Sequence, residues 1–405
     1  MPNIPGQRPP SDDPRSRRDG LGWVTRAVFP GPGLRLTVGG ASPGAIRYAV
    51  IPDLDHARFL LPLASRRVTA ASLLAYNALR PPKVRASRAA IGLLARVGAL
   101  GVTRAPVLSV HGEGLLWEHL AGLLGVDRLH AAIGIRPPDP HHKPTLQLFD
   151  DDAVPRGYAK IGWNDGTRAM VLAEAATLAD MPPAGGDVPP APRLMLHTRW
   201  RGREIAVIEP MPRDVRRIRH PDQPRLAAML AVARRGGPPA PVRPFGGSSF
   251  LARWRARAAG AAEPRIDAAI GALQARDGEL SVEFGDWHGD WVPWNMARHR
   301  GRLLVWDWEN RAPDVPVGFD LAHQAFQTAL STHGRPAAEC AAAVDAALPA
   351  LGFDAPVRRF VADAYLVELW LRTCELSRGG AGWNPKLHPA LLDVLGARLG
   401  QPVRP

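Results

Sequence analysis

Lysine is nearly missing from this chain. Only Lys83, Lys143, Lys160 and Lys386 are lysines, so arginine carries almost all of the formal net charge of +13 at pH 7. Those arginines are scattered, and no basic stripe with interleaved aromatics appears, so nucleic acid is not an expected partner. With abundant Ala, Pro and Gly they read as a compositional bias, although a basic field still attracts anionic small molecules, nucleotides included. Cysteine is scarce too. Cys340 and Cys374 lie in apolar helical runs, which excludes a disulfide scaffold and fits buried free thiols in a reducing compartment. No apolar run approaches the roughly 20 residues of a membrane helix, and none follows the first basic residues. A cytoplasmic protein with no membrane partner is expected.

At 405 residues the chain has room for two or three domains. Residues 1–25 are rich in Pro, Arg, Asp and Ser and read as a disordered tail. Residues 26–124 mix short strands, around the Pro52-Asp53 turn and at Pro106–Val110, with helical spacing at Val68–Leu79, Arg88–Leu100 and Leu115–Leu124. They carry no chemical motif and are expected to form an α/β extension or cap. Residues 125–212 change to closely spaced strands: His130–Ile135, Thr145–Phe149 and Gly157–Gly162, then a helix over Arg168–Ala179 and a hairpin around Arg201-Gly202. Residues 213–405 are mostly helical after a Pro- and Gly-rich loop at Gly236–Gly247.

The chemistry is concentrated in His288-Gly289-Asp290-Trp291-Val292-Pro293-Trp294-Asn295 and Leu303-Leu304-Val305-Trp306-Asp307-Trp308-Glu309. An Asp, an Asn five residues on and a second Asp on an apolar strand suit phosphoryl transfer from a nucleotide. The first carboxylate can take the proton of an attacking hydroxyl; the amide and second carboxylate offer oxygen ligands to Mg²⁺. A charge on so apolar a strand needs a partner, either a metal or an arginine. Two Gly-Asp pairs compete for the role of base, but only Asp290 has an Asn at the fifth following position; Asp286 has Trp291 there. Asp286 is expected to cap or orient the loop. Glu309 is either a further ligand or a surface residue.

This run resembles the aminoglycoside-phosphotransferase branch of the protein-kinase-like fold, in which H-G-D-x-x-x-x-N stands for the kinase H-R-D-x-x-x-x-N. The resemblance covers about the last two-thirds of the chain and is most specific in its second half. It implies an α+β, two-lobed fold with a β-rich small lobe and a mostly helical large lobe, here preceded by the α/β extension. It implies ATP and Mg²⁺ as cofactors, with Asp290 as base and Asn295 and Asp307 at the metal. Lys160 would contact the α/β-phosphates, held by Glu174, and Glu209-Pro210-Met211-Pro212 falls at the hinge, where backbone groups of Glu209 and Met211 would face the adenine. His288 would pack behind the loop. Asp320, in Gly318-Phe319-Asp320-Leu321-Ala322-His323, would buttress it, although a helix N-cap is the plain reading.

The chain departs from the family where phosphate should be covered. Residues 136–143 lack G-x-G-x-x-G, and Pro137, Pro138 and Pro140 have no N–H to donate. Arg136 and Lys143, with His141 and His142, could substitute by charge, or the segment is a solvated basic turn. Trp291, Trp294, Trp306 and Trp308 are expected around the site, with Trp291 or Trp294 available to stack on a sugar ring. The expected acceptor is the hydroxyl of a small molecule such as a sugar, amino sugar or aminoglycoside-like compound. Two other readings stand beside it. Gly285-Asp286-Trp287-His288-Gly289 resembles the G-D-x-H-G of metallophosphoesterases, without that family's downstream metal motifs. A non-catalytic pseudokinase-like scaffold is the other, although Lys160, Asp290, Asn295 and Asp307 are all of the active types.

Overall fold

The computed structural model describes residues 18–31, 33–39, 43–74, 79–100, 104–137, 139, 141–181, 186–218, 223–378 and 387–400. The chain forms two compact units, one of Met1–Ala179 with Pro192–Arg217 and one of Asp180–Ala191 with Ile218–Pro405.

Among the described residues the first element is a helix, α1 (Arg18–Val28), where the sequence suggested tail as far as residue 25. Leu21, Val24 and Val28 fall on one stripe and are buried, which anchors a segment whose flanks are polar. Gly20 lets this helix sit on the backbone at residue 136: a Cβ there would meet the Arg136 carbonyl oxygen at 2.4 Å. Next come β1 (Arg35–Val38), β2 (Ile46–Ile51), β3 (Phe59–Pro62), α2 (Arg66–Leu74), α3 (Pro82–Val97), β4 (Val107–His111) and α4 (Leu116–Leu124). The unit continues with β5 (His130–Gly134), β6 (Thr145–Phe149), β7 (Pro155–Gly162), α5 (Asp165–Ala179), β8 (Leu194–Trp200), β9 (Arg203–Ile208) and the two-residue β10 (Arg216–Arg217).

Nine of these strands form one antiparallel sheet in the order β1-β4-β2-β3-β5-β6-β7-β9-β8. The join is β3 to β5, with Phe59 opposite Gly134 and Leu60 opposite Ile133. The strands of the N-terminal extension are therefore continuous with those after residue 125. Alternation puts Val50, Leu60, Ile133, Leu148, Ile161 and Val207 on one face, in a single core with Val24 of α1 and Leu116 and Leu120 of α4. The other face buries Ala132 and Phe149 against Val68 of α2, and Ala206 against Val171 and Ala175 of α5.

The second unit holds α6 (Leu226–Ala233), β11 (Val242–Pro244), α7 (Ser249–Ala261), α8 (Pro264–Asp277), β12 (Ser281–Trp287), β13 (Met296–His299), β14 (Arg302–Val305), β15 (Ala312–Pro316), α9 (Phe319–Gln327), α10 (Ala337–Ala347), α11 (Ala355–Arg378) and α12 (Leu387–Arg398). β12 lies between β11 and β15, and β13 and β14 form a hairpin. α11 packs against α7, α8, α9, α10 and α12 and is buried on every side from Phe360 to Leu371. Its carboxylates inside the core are neutralised. Glu368 accepts from Trp254 Nε1 at 2.8 Å and from Arg257, and Asp363 is held between Arg276 and Arg398. Cys340 and Cys374 are buried and free.

Candidate active site

The second unit builds its polar centre on the turn that leaves β12. The strand has a register shift between Gly285 and Trp287, then turns at Gly289 with φ of +80°. Only glycine fits there: the positive φ disfavours a side chain, and a Cβ would meet the Asn310 carbonyl oxygen at 2.2 Å. Asp320 ties the turn from below, accepting from the His288 and Gly289 N–H groups at 2.8 and 3.1 Å. The N-cap position of α9 belongs to Gly318, so Asp320 is the buttress and not the cap. Burial pushes its carboxyl up to about 7 against the pull of those two N–H groups.

His288 is fully buried behind the turn. Its Nδ1 accepts from the Asp290 N–H at 3.1 Å, so the proton sits on Nε2, which donates to the Trp306 carbonyl at 3.1 Å. Burial pushes this imidazole down to about 4, and it is neutral at pH 7.

Asp290 has donors on both carboxylate oxygens. Asn295 Nδ2 donates to Oδ2 at 2.8 Å, and His323 Nε2 lies 3.1 Å from Oδ1. Its side chain is still 32% exposed, so the carboxylate is reachable from solvent. Burial alone would raise this carboxyl, but its contacts with His323 and the charge of Arg372 outweigh that and hold it well below the usual carboxylate range. Arg372 also donates to the Gly289 carbonyl.

The β13–β14 hairpin brings Asn295 toward Asp307. Met296 pairs with Val305, and Trp306 N–H donates to the Asn295 carbonyl at 3.0 Å. Asp307 is not inside a strand as its neighbours suggested. β14 ends at Val305, and Asp307 occupies a left-handed turn with φ of 65°. The strand stops at this left-handed turn, a conformation Asp tolerates better than bulky residues. One carboxylate oxygen of Asp307 and one of Glu309 lie within 4.8 Å of each other. With its Nδ2 committed to Asp290, Asn295 keeps Oδ1 for a ligand. An amide oxygen and two carboxylates are a donor set that fits Mg²⁺.

Asp286 and His288, the pair on which the phosphoesterase reading depends, are committed elsewhere. Asp286 accepts from Arg311 at 2.5 and 3.0 Å, so it binds an arginine and does not cap the loop. Both nitrogens of His288 are used within the protein, which leaves no metal-binding atom on it. Trp291 is fully buried and cannot stack on a ligand, whereas Trp294 is 51% exposed.

In the first unit Lys160, on β7, reaches Glu174, on α5, with Nζ 2.6 and 2.7 Å from the two carboxylate oxygens. Both side chains are buried. In the 136–143 segment, Pro138 and Pro140 lie outside the described residues, and Arg136 is exposed. The segment is pinned at His142, whose carbonyl accepts from Trp163 Nε1 at 3.1 Å and whose ring lies 5.4 Å from that of Trp23. Glu209 pairs with Arg193 through both its N–H, at 2.9 Å, and its carboxylate, at 3.0 Å. Its N–H is therefore not free for a nucleotide base.

Two residues of the centre have no role in the sequence reading. His323 stands one helical turn after Asp320, inside a run singled out for its aspartate alone. Arg372 comes from a helix more than 80 positions away, and nothing local marks it.

Comparison of the sequence with family models and with curated proteins gives no match. Among solved structures, the ternary complex of a thermostable mutant of aminoglycoside phosphotransferase APH(4)-Ia with ADP and hygromycin B superposes with a TM-score of 0.46 at 12% identity, over 70% of this chain and 98% of that one. The apo form of such a mutant gives 0.45 at 12% identity, with the same coverage of 70% and 98%. A glucosamine kinase in complex with glucosamine, ADP and inorganic phosphate gives 0.25 at 16% identity, over 93% and 94% of the two chains. Likeness at this level identifies no activity; the functional reading rests on the residues.

Proposed function

We propose that this protein is a small-molecule kinase that transfers the γ-phosphoryl group of ATP to a hydroxyl, with Mg²⁺. The observation that carries the proposal is Asp290: an ionised, partly exposed carboxylate held on both oxygens, beside the oxygen donors Asn295, Asp307 and Glu309. Asp290 orients the acceptor hydroxyl and takes its proton as the new O–P bond forms and the bond to ADP breaks. Asn295 and Asp307 would hold the metal, with Glu309 as a further ligand. Bound Mg²⁺ neutralises charge on the phosphate oxygens. Lys160, kept extended by Glu174, would meet the α/β-phosphates as a point charge. Arg136 and Lys143 would add side-chain charge where prolines withhold backbone donors. The single exposed tryptophan of the catalytic turn, Trp294, offers an apolar face to a sugar ring, which favours a sugar or amino-sugar acceptor.

The test is ADP release from Mg·ATP across a panel of hydroxylated sugars, amino sugars and aminoglycosides. Acceptor-dependent ADP release that disappears in Asp290→Asn is the expected result. Release of phosphate from simple phosphate esters, retained in Asp290→Asn and lost in Asp286→Asn, would replace this reading with the phosphoesterase one.

A further inference from the structure

α9 grips the catalytic turn at two levels. Asp320 holds the backbone at His288 and Gly289, and His323, on the same face one turn later, reaches the Asp290 side chain. His323 is 3% exposed, and its two ring nitrogens face two different partners: Asp290 Oδ1 at 3.1 Å from Nε2, and the Tyr365 hydroxyl at 3.1 Å from Nδ1. An ionised carboxylate only accepts hydrogen bonds, so Nε2 carries the proton. Burial keeps the ring below the ordinary imidazole value against the pull of Asp290, so it is neutral and Nδ1 is an acceptor. Tyr365 is buried with its phenol held protonated and must then donate to Nδ1. The Asp290 carboxylate thereby sets the tautomer, and the Tyr365 hydroxyl on α11, able to donate or accept, complements it at the other nitrogen. The Trp287 ring, 6.5 Å away and nearly perpendicular, flanks the imidazole from a third side.

We propose that His323, held from its far side by Tyr365, is the positioning residue that holds Asp290 in its reactive orientation. The proposal rests on the kinase reading above. Asn295 cannot serve alone, because its amide is shared between Asp290 and the metal donor set. His323 has no such second duty: its remaining nitrogen faces inward to Tyr365. With the His323 donor removed, a 32% exposed carboxylate is held through Asn295 at one oxygen only, and small misplacements of a reacting group cost about 10²-fold in rate.

The experiment has two arms on the full chain. The first follows ADP release from Mg·ATP with water as the acceptor. His323→Leu should lower kcat by about 10- to 100-fold with the KM for Mg·ATP unchanged. His323→Gln, whose amide N–H can replace Nε2–H, should recover most of it, and Tyr365→Phe should lose less than His323→Leu. The second arm reads the imidazole ¹⁵N resonances of His323. They should show the Nε2-protonated tautomer at neutral pH and should shift in Asp290→Asn. Undiminished kcat in His323→Leu, failure of His323→Gln to recover, an Nδ1-protonated ring, or ring signals indifferent to Asp290→Asn would each overturn the proposal. If instead Asp290→Asn turns over normally, the kinase reading itself fails, and the resonances still decide whether His323 and Asp290 are paired.

Discussion

Asp307 sits in a backbone conformation that few side chains accept, φ of 65°, with a second carboxylate from Glu309 nearby. Asn tolerates the left-handed region nearly as well, so Asp307→Asn removes the charge without adding strain. Calorimetric titration with ATP, with and without Mg²⁺, should show the metal dependence of binding largely lost in Asp307→Asn. Metal dependence unchanged in both Asp307→Asn and Asn295→Ala would remove the metal site from these residues. His288 supplies a second prediction. Its folded value of about 4 lies below the unfolded 6.5. Between those values the unfolded chain binds more protons, so stability rises with pH and is lost as pH falls from 6.5 through 4. The shift corresponds to about 3 kcal/mol at most. Asp320 works against it: its folded value of about 7 lies above the unfolded 3.8, so its contribution is present below pH 3.8 and lost as pH rises through 7. Urea unfolding of wild type and Asp320→Asn from pH 4 to 7 should show the His288 slope steeper in the variant. Equal slopes would contradict the opposition of the two groups.

Elements carry the site through a few close approaches. Gly289→Ala would place a Cβ 2.2 Å from the Asn310 carbonyl oxygen at a positive φ, so it should cost at least about 1–3 kcal/mol and lower turnover together with stability. Chemical unfolding checks this, and a wild-type midpoint would show that the turn relaxes freely. The β7–α5 connection is tested by Lys160→Met, which leaves Glu174 buried without its cation and should cost about 3–5 kcal/mol. Adding Glu174→Gln should return part of that loss, whereas two additive losses would deny the coupling. The elements were unequally legible. Gly157–Gly162 and the Asp290–Asn295 turn follow from local spacing, because each depends on residues close in sequence, whereas the Lys160–Glu174 pairing is legible only through the family resemblance. α1 was hidden because its short apolar stripe is embedded in a Pro- and Arg-rich segment. The β3–β5 pairing that merges the extension with the following strands is non-local, as are the contacts from His323 and Arg372 to the catalytic turn. Asp307 was misplaced by one turn because apolar neighbours say nothing about where a strand bends.

For the whole molecule, several arginines are committed to internal ion pairs. Arg257 holds Glu368 and Glu375, Arg398 holds Asp345 and Asp363, and Arg311 holds Asp286 and Asp180. Such pairs leave the net +13 unchanged, and the excess rests on the remaining basic side chains, which are scattered along the sequence. Where loop prolines withhold backbone donors, nucleotide affinity should depend on exposed side-chain charge and fall with ionic strength. A salt series should show the slope reduced in Arg136→Ala or Lys143→Ala, with Lys160→Ala losing the most affinity overall. Normal ATP binding by Lys160→Ala would take the lysine out of the nucleotide site. The central claim is that Asp290 drives transfer of the γ-phosphoryl group to a hydroxyl. Transfer of label from γ-³²P-ATP to the hydroxylated panel tests it most directly. Label should appear in an acceptor with the wild type and fall by about 10²- to 10⁴-fold with Asp290→Asn, while Mg·ATP binding persists. Undiminished transfer by an Asp290→Asn protein would contradict the account.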